Sequence, residues 1–161
     1  MSHQTTADRL EDLPSFEDMI GRSGLQFMQD VLAGRLSAPP IARTLNFRLA
    51  EVREGFVAFE GAPEFSATNP LRTVHGGWYG TILDSCMACA VMTIVPKGSY
   101  YTTLEYKVNI VRSIPIGMQV RAMGTVQHAG RSTGVSVGEL RGVEDGKLYA
   151  TGSTTCIIMK A

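Results

Sequence analysis

Asp84 is the one acid between Asn69 and Pro96, a stretch that reads NPLRTVHGGWYGTILDSCMACAVMTIVP and has the composition of an apolar helix. Burying an ionised carboxylate is strongly unfavourable, so such a group is paired, neutral or kept for chemistry. The positions three and four residues away on the helix are Gly80, Thr81, Met87 and Ala88, so no Lys or Arg of the same helix is placed to pair with it. Two readings stand at this point. Asp84 is either a structural carboxylate held by strand hydroxyls or a distant Arg, or a working acid-base group.

Gly76-Gly77 immediately precedes the helix, following His75. A helix tip offers unpaired N–H groups with the positive end of the dipole behind them, and a residue without Cβ lets a carbonyl come close. That combination suits an oxyanion site, although two glycines also serve a plain tight turn. Gly76 and Asp84 lie eight residues apart, about 12 Å along a helix axis, too far for easy action on one carbonyl. If both act on one substrate, the simplest arrangement sets two antiparallel helices from two chains tip beside middle, which predicts a homodimer with two shared sites.

The elements that must position these residues follow from pattern. Trp78, Ile82, Leu83, Met87, Ala88, Ala90, Val91, Ile94 and Val95 spread around nearly the whole helix, as expected when a sheet wraps it. The helix is predicted from Gly77 to Val95, ended by Pro96-Lys97-Gly98. After it, Tyr100 to Val111, Met118 to Gln127, Thr133 to Val143 and Lys147 to Met159 are rich in Val, Ile, Thr and Tyr and separated by glycine-containing turns, which predicts an antiparallel meander. Before it, Asn46 to Val52 and Gly55 to Gly61 predict a hairpin. Pro63 to Val74 is an irregular connection. Residues 1 to 14 form a polar leader, and Ser15 to Leu36 carries a helical pattern stopped at Ala38-Pro39-Pro40.

The bulk composition narrows the classes. A chain of 161 residues fits one domain. Lys plus Arg equals Asp plus Glu at 15 each, so no long-range field favours nucleic acid or an anionic membrane. The N-terminus lacks the apolar stretch of a secretory signal, and Cys86 to Val95 falls short of the ~20 residues that span a bilayer. A cytoplasmic protein is expected. Three cysteines make no disulfide framework, and Cys86 and Cys89 lie inside the helix, where small buried residues fit better than a redox pair.

The series Asn69, His75-Gly76-Gly77, Asp84, spaced N-x5-H-G-G-x6-D on a long helix followed by four strands, resembles the hotdog-fold thioesterases, and among them the PaaI-like branch of acyl-CoA thioesterases. The similarity spans residues 43 to 160, with 1 to 42 as an N-terminal extension. It implies an α+β fold in which a curved antiparallel sheet wraps a central helix, assembly as a homodimer or a dimer of dimers, and hydrolysis of acyl-CoA without metal or prosthetic group. By that resemblance Asp84 is the general base or nucleophile, and Gly76 polarises the thioester carbonyl through its N–H, with Gly77 beside it. Asn69 and His75 sit at the same mouth, and Thr103 holds the water.

Coenzyme A needs cations for its phosphates, and Arg112 and Arg131 near strand ends are candidates, with a solvated surface role as the alternative. Phe65, Trp78 and Tyr79 are candidates for the acyl end, with core packing as the competing role.

Other patterns are weaker. Gly130-Arg131-Ser132-Thr133-Gly134 matches G-x-S-x-G, but a strand rather than a helix follows, and no histidine comes after Ser132. His3, His75 and His128 lack metal-ligand spacing, so no metal site is expected. Asn69-Pro70 is similar to the D-x-N-P of hydratases on the same fold, yet the acid position holds Ala67. A non-catalytic acyl-CoA-binding domain is the remaining alternative.

Overall fold

Gly76 to Met92 forms one unbroken helix, α4, in the computed structural model, which describes residues 4–161. Of its residues from Trp78 to Met92 all but four are buried. Ile82, Leu83, Met87 and Val91 are at or near zero exposure, and full burial of side chains of this size contributes about 1.5–3 kcal/mol each. The four exceptions, Thr81, Asp84, Ser85 and Cys89, recur at helical spacing and form one narrow stripe. The even spread of apolar residues along this helix thus hides a single open face, and Asp84 lies on it.

A six-stranded antiparallel sheet wraps the other sides. Its strands are β1 (Phe47–Arg53), β2 (Phe56–Gly61), β3 (Ser99–Ile110), β4 (Val120–Ala129), β5 (Thr133–Gly142) and β6 (Leu148–Lys160). Their spatial order is β1-β2-β4-β5-β6-β3. The expected meander therefore holds only for β4 to β6. β3 pairs with β6 at the far edge, and β4 takes β2 as its other neighbour. Curling the sheet around α4 brings strands together by position around the helix rather than by chain order. Glycines let the helix settle into the sheet: a Cβ at Gly124 would lie 2.2 Å from the Cys86 carbonyl oxygen, and one at Gly138 would lie 2.8 Å from Met87 Cγ.

The single helix predicted from Ser15 to Leu36 is two, α1 (Phe16–Ile20) and α2 (Gly24–Leu32). Ser15 with Asp18 and Ser23 with Gln26 each close a capping box, so the second serine restarts the helix after Gly21. Pro39-Pro40 is not only a stop, because Pro40 opens a short helix, α3 (Pro40–Thr44), at the first-turn position where proline lacks a needed donor least.

These helices dock on the end of α4. The Gly24 N–H donates to the Val95 carbonyl at 2.9 Å, and a Cβ at Gly24 would lie 1.7 Å from the Met92 carbonyl oxygen. Met28, Val31 and Ala42 belong to the same hydrophobic cluster as Trp78 and Leu83, so residues before and after 42 share one core. His3 lies outside the described residues. Among the described residues no helix is long and apolar enough to cross a membrane.

Candidate active site

The loop into α4 is fastened by Asn69. Its Oδ1 accepts the N–H groups of Leu71 at 3.0 Å and Thr73 at 3.2 Å, while Thr68 bridges Val74 across the loop base. His75 is the N-cap residue, and its Nδ1 accepts the Gly77 N–H at 2.8 Å. Gly77 is thereby committed to the cap. Gly76 is exposed at the helix tip, and its N–H has no acceptor among the described residues. Asn69, His75 and Gly76 thus form one built entrance to α4.

β3 runs antiparallel along the open side of the helix. The Thr103 hydroxyl donates to Asp84 Oδ1 at 3.3 Å. Farther along, Tyr106 comes close to Gly80 and Ile110 to Gly76. The register of β3 against β6 shifts between Thr103 and Glu105, a bulge that moves the helix-facing side from odd to even positions. With that bulge, Thr103 and Tyr106 both face α4, an arrangement a strict alternation forbids.

Asp84 is half-buried and, among the described residues, makes no ion pair. Burial raises its pKa above the usual carboxylate value, and the Thr103 hydrogen bond partly opposes the rise. Of the two partners that a purely structural Asp84 would call for, a strand hydroxyl is present and, among the described residues, a distant Arg is absent. A carboxylate so placed can take a proton from a water beside it. Cys86 and Cys89 stay protonated thiols: burial pushes Cys86 well up and Cys89 to about 12, with the negative charge of Asp84 adding to both. Among the described residues no group of three His, Cys, Asp or Glu side chains is placed to hold a metal ion.

Other expected contacts lie apart from this face. Trp78 is 2% exposed and its indole N–H donates to the Leu45 carbonyl at 2.8 Å, a core position. Tyr79 is also core, its hydroxyl accepting the Ile114 N–H at 2.8 Å. Phe65 is 83% exposed on a short 3-10 turn. Arg112 and Arg131 are both exposed but at opposite ends of the sheet. Arg112 follows β3 where Ile110 pairs with Ala150, and Arg131 precedes β5 where Thr133 pairs with Ile157. Seven residue steps along β6 separate those rungs, about 23 Å at ~3.3 Å per residue. Ser132 sits in the β4–β5 turn and leads into a strand, so the G-x-S-x-G match is not a nucleophile elbow.

Sequence reasoning did not find Tyr101, Ser85 or Cys89, which line an apolar cavity of about 320 Å³ next to the open stripe of α4. The available signal was the spacing of Ser85 and Cys89, one and five residues after Asp84 on the same helix.

A family profile described as "Thioesterase superfamily" matches residues 71–149, the span from the fastened loop through the start of β6. The chain belongs to the thioesterase superfamily. Among solved structures, this superfamily member is similar to a phenylacetic acid degradation-related protein from Ralstonia eutropha JMP134, with 28% identity over 81% of this chain and 98% of that one and a TM-score of 0.73. A thioesterase family protein from Silicibacter pomeroyi shares 23% identity over 86% of this chain and 100% of that one, TM-score 0.74. The E. coli PaaI protein of the phenylacetic acid degradation operon shares 17% identity over 86% and 94% of the two chains, TM-score 0.69. The last two likenesses bear on the fold, which is the hotdog fold. No curated protein matches the chain.

Proposed function

We propose that this thioesterase-superfamily chain hydrolyses acyl-CoA thioesters to a free carboxylic acid and coenzyme A, with Asp84 as general base. The observation that carries the reading is a half-buried carboxylate on the one open face of α4, held by the Thr103 hydroxyl and, among the described residues, by no cation. A carboxylate tied up in an ion pair would be held in its unreactive form; this one is left basic by burial. A thioester is already an activated acyl group, so a base and an oxyanion donor suffice. Asp84 takes a proton from water as the water oxygen attacks the carbonyl carbon. The resulting oxyanion is held by the Gly76 N–H, and collapse expels the CoA thiolate, which takes up a proton.

The same helix cannot bring its own tip to its own Asp84, about 12 Å away along the axis. The donor in this reading is therefore Gly76 of a second copy. β3 supports that arrangement: it is an edge strand with one side unpaired, and Leu104, Tyr106 and Ile110 on it are 59%, 48% and 49% exposed. Antiparallel pairing of two such edges lays two α4 helices alongside each other, tip beside middle. It also brings the end of one β3, with Arg112, toward the start of the other, beside Arg131. Coenzyme A phosphates held between cations of two copies are consistent with the distance that separates these residues within one.

Release of free thiol from a panel of acyl-CoAs tests the reading. Hydrolysis gives a stoichiometric thiol and acid. A chain that binds acyl-CoA or hydrates an enoyl-CoA releases no thiol, and either result would remove the proposal.

A further inference from the structure

The cleft near Asp84 is walled in part by the N-terminal helices. Phe27 and Met28 of α2 and Ala42 of α3 form one side, and Phe47 of β1, Cys89 of α4 and Tyr101 of β3 the other. Among the described residues its lining contains no Asp, Glu, Lys, Arg or His. It is a cleft of about 320 Å³, partly open to solvent, whose apolar walls face water until an apolar group covers them, and covering them is favourable. The space adjoins the reacting face through chain neighbours of its residues. Ser85 follows Asp84 directly and lines it, and Tyr101 lies two residues before Thr103 on the same side of β3.

Resting on the hydrolytic reading above, we infer that this cavity takes the hydrocarbon tail of the acyl group, and that α2 and α3 set the length accepted. At ~30 Å³ per small group the volume holds on the order of ten heavy atoms, which selects an uncharged acyl chain of medium length. A tail ending in a second carboxylate would be buried without a cation and is excluded. Met19, Met28 and Met92 around the space give it some adaptability of shape. Selectivity thus resides in the N-terminal segment and not in Phe65 or Trp78, which the structure places on the surface and in the core.

The test measures kcat/KM by thiol release on straight-chain acyl-CoAs from two to fourteen carbons and on succinyl-CoA, with wild type, Ala42→Phe and Phe27→Ala. Binding of decanoic acid to the same three proteins is followed by calorimetry, and folding by circular dichroism. In wild type each added methylene is expected to raise kcat/KM about three- to fourfold until the cavity is full, with succinyl-CoA far below butyryl-CoA. Ala42→Phe should lower the ratio of decanoyl to acetyl activity at least tenfold. Phe27→Ala should move the optimum to longer chains, and it decides the matter alone if Ala42→Phe does not fold. Identical chain-length ratios in all three folded proteins overturn the inference while leaving hydrolysis standing. If no acyl-CoA is hydrolysed, the hydrolytic reading falls, and decanoate binding decides the cavity: binding by wild type that Ala42→Phe loses upholds it, and no binding overturns it.

Discussion

The Thr103 hydroxyl lies 3.3 Å from Asp84 Oδ1 and donates to it, and this one hydrogen bond works against the burial that raises the acid's pKa. Strand β3 and helix α4 are thereby joined at the point where the proposed chemistry occurs. The two residues are nineteen apart in the chain, and only the bulge after Thr103 lets the strand present this hydroxyl and the Tyr106 ring to the same helix.

That pair makes the pH profile diagnostic. A general base must be ionised, so kcat/KM should fall as pH drops through the folded-state pKa of Asp84, which lies above the ordinary value of 3.8. Thr103→Val removes the opposing hydrogen bond, so the acid limb should move to higher pH. At a fixed pH on that limb the rate should drop about five- to tenfold, the equivalent of ~1–1.5 kcal/mol. Thr103→Ser keeps the hydroxyl and should leave the limb where it is. A limb that stays fixed in Thr103→Val separates Thr103 from the titrating group.

Gly76 can be tested without disturbing the helix. His75 has φ −65° and ψ 139°, the extended conformation required before proline, and Gly76 occupies the first helical position, where proline is tolerated. Gly76→Pro therefore deletes the amide hydrogen and little else. Loss of an oxyanion donor lowers kcat by about 10²–10³, and Gly76→Ala, which retains the N–H, should stay within a few-fold of wild type. Equal thiol-release rates in Gly76→Pro and Gly76→Ala would show that the amide has no part.

The β3 edge predicts how activity depends on assembly. Leu104 is 59% exposed on an unpaired edge, and Leu104→Arg should repel a second copy there. Sedimentation should show a smaller species than wild type, and thiol release should fall with it. A monomeric Leu104→Arg with full activity would confine each site to one chain.

Much of this is legible in the residues alone, for local reasons. α4 declares itself by length, by Gly76-Gly77 at one end and Pro96 at the other, and Asp84 by being the lone acid within it. Long-range relations were not legible. The pairing of β3 with β6 rather than β4 is fixed by closure of the sheet around the helix. The bulge after Thr103 leaves no mark in a run of Thr, Leu, Glu and Tyr. The break between α1 and α2 did carry a local signal, Ser15-x-x-Asp18 and Ser23-x-x-Gln26, whose capping geometry outweighs the apolar periodicity running through it. Trp78 and Phe65 show the limit of residue type: each is a large aromatic near the helix tip, and only packing tells that one is core and the other surface.

The central claim is that Asp84 is the base, and Asp84→Asn tests it by two readouts on one sample. Burial favours the protonated acid, so the folded chain holds this proton more tightly than the unfolded one. The group therefore costs no stability below its unfolded pKa and destabilises the fold once pH rises through the folded value. Asp84→Asn should melt at the same temperature as wild type or higher near pH 7, with the difference shrinking at acid pH. Thiol release from every acyl-CoA that wild type cleaves should meanwhile fall about 10²-fold or more. A folded Asp84→Asn protein that releases thiol at the wild-type rate would contradict the account.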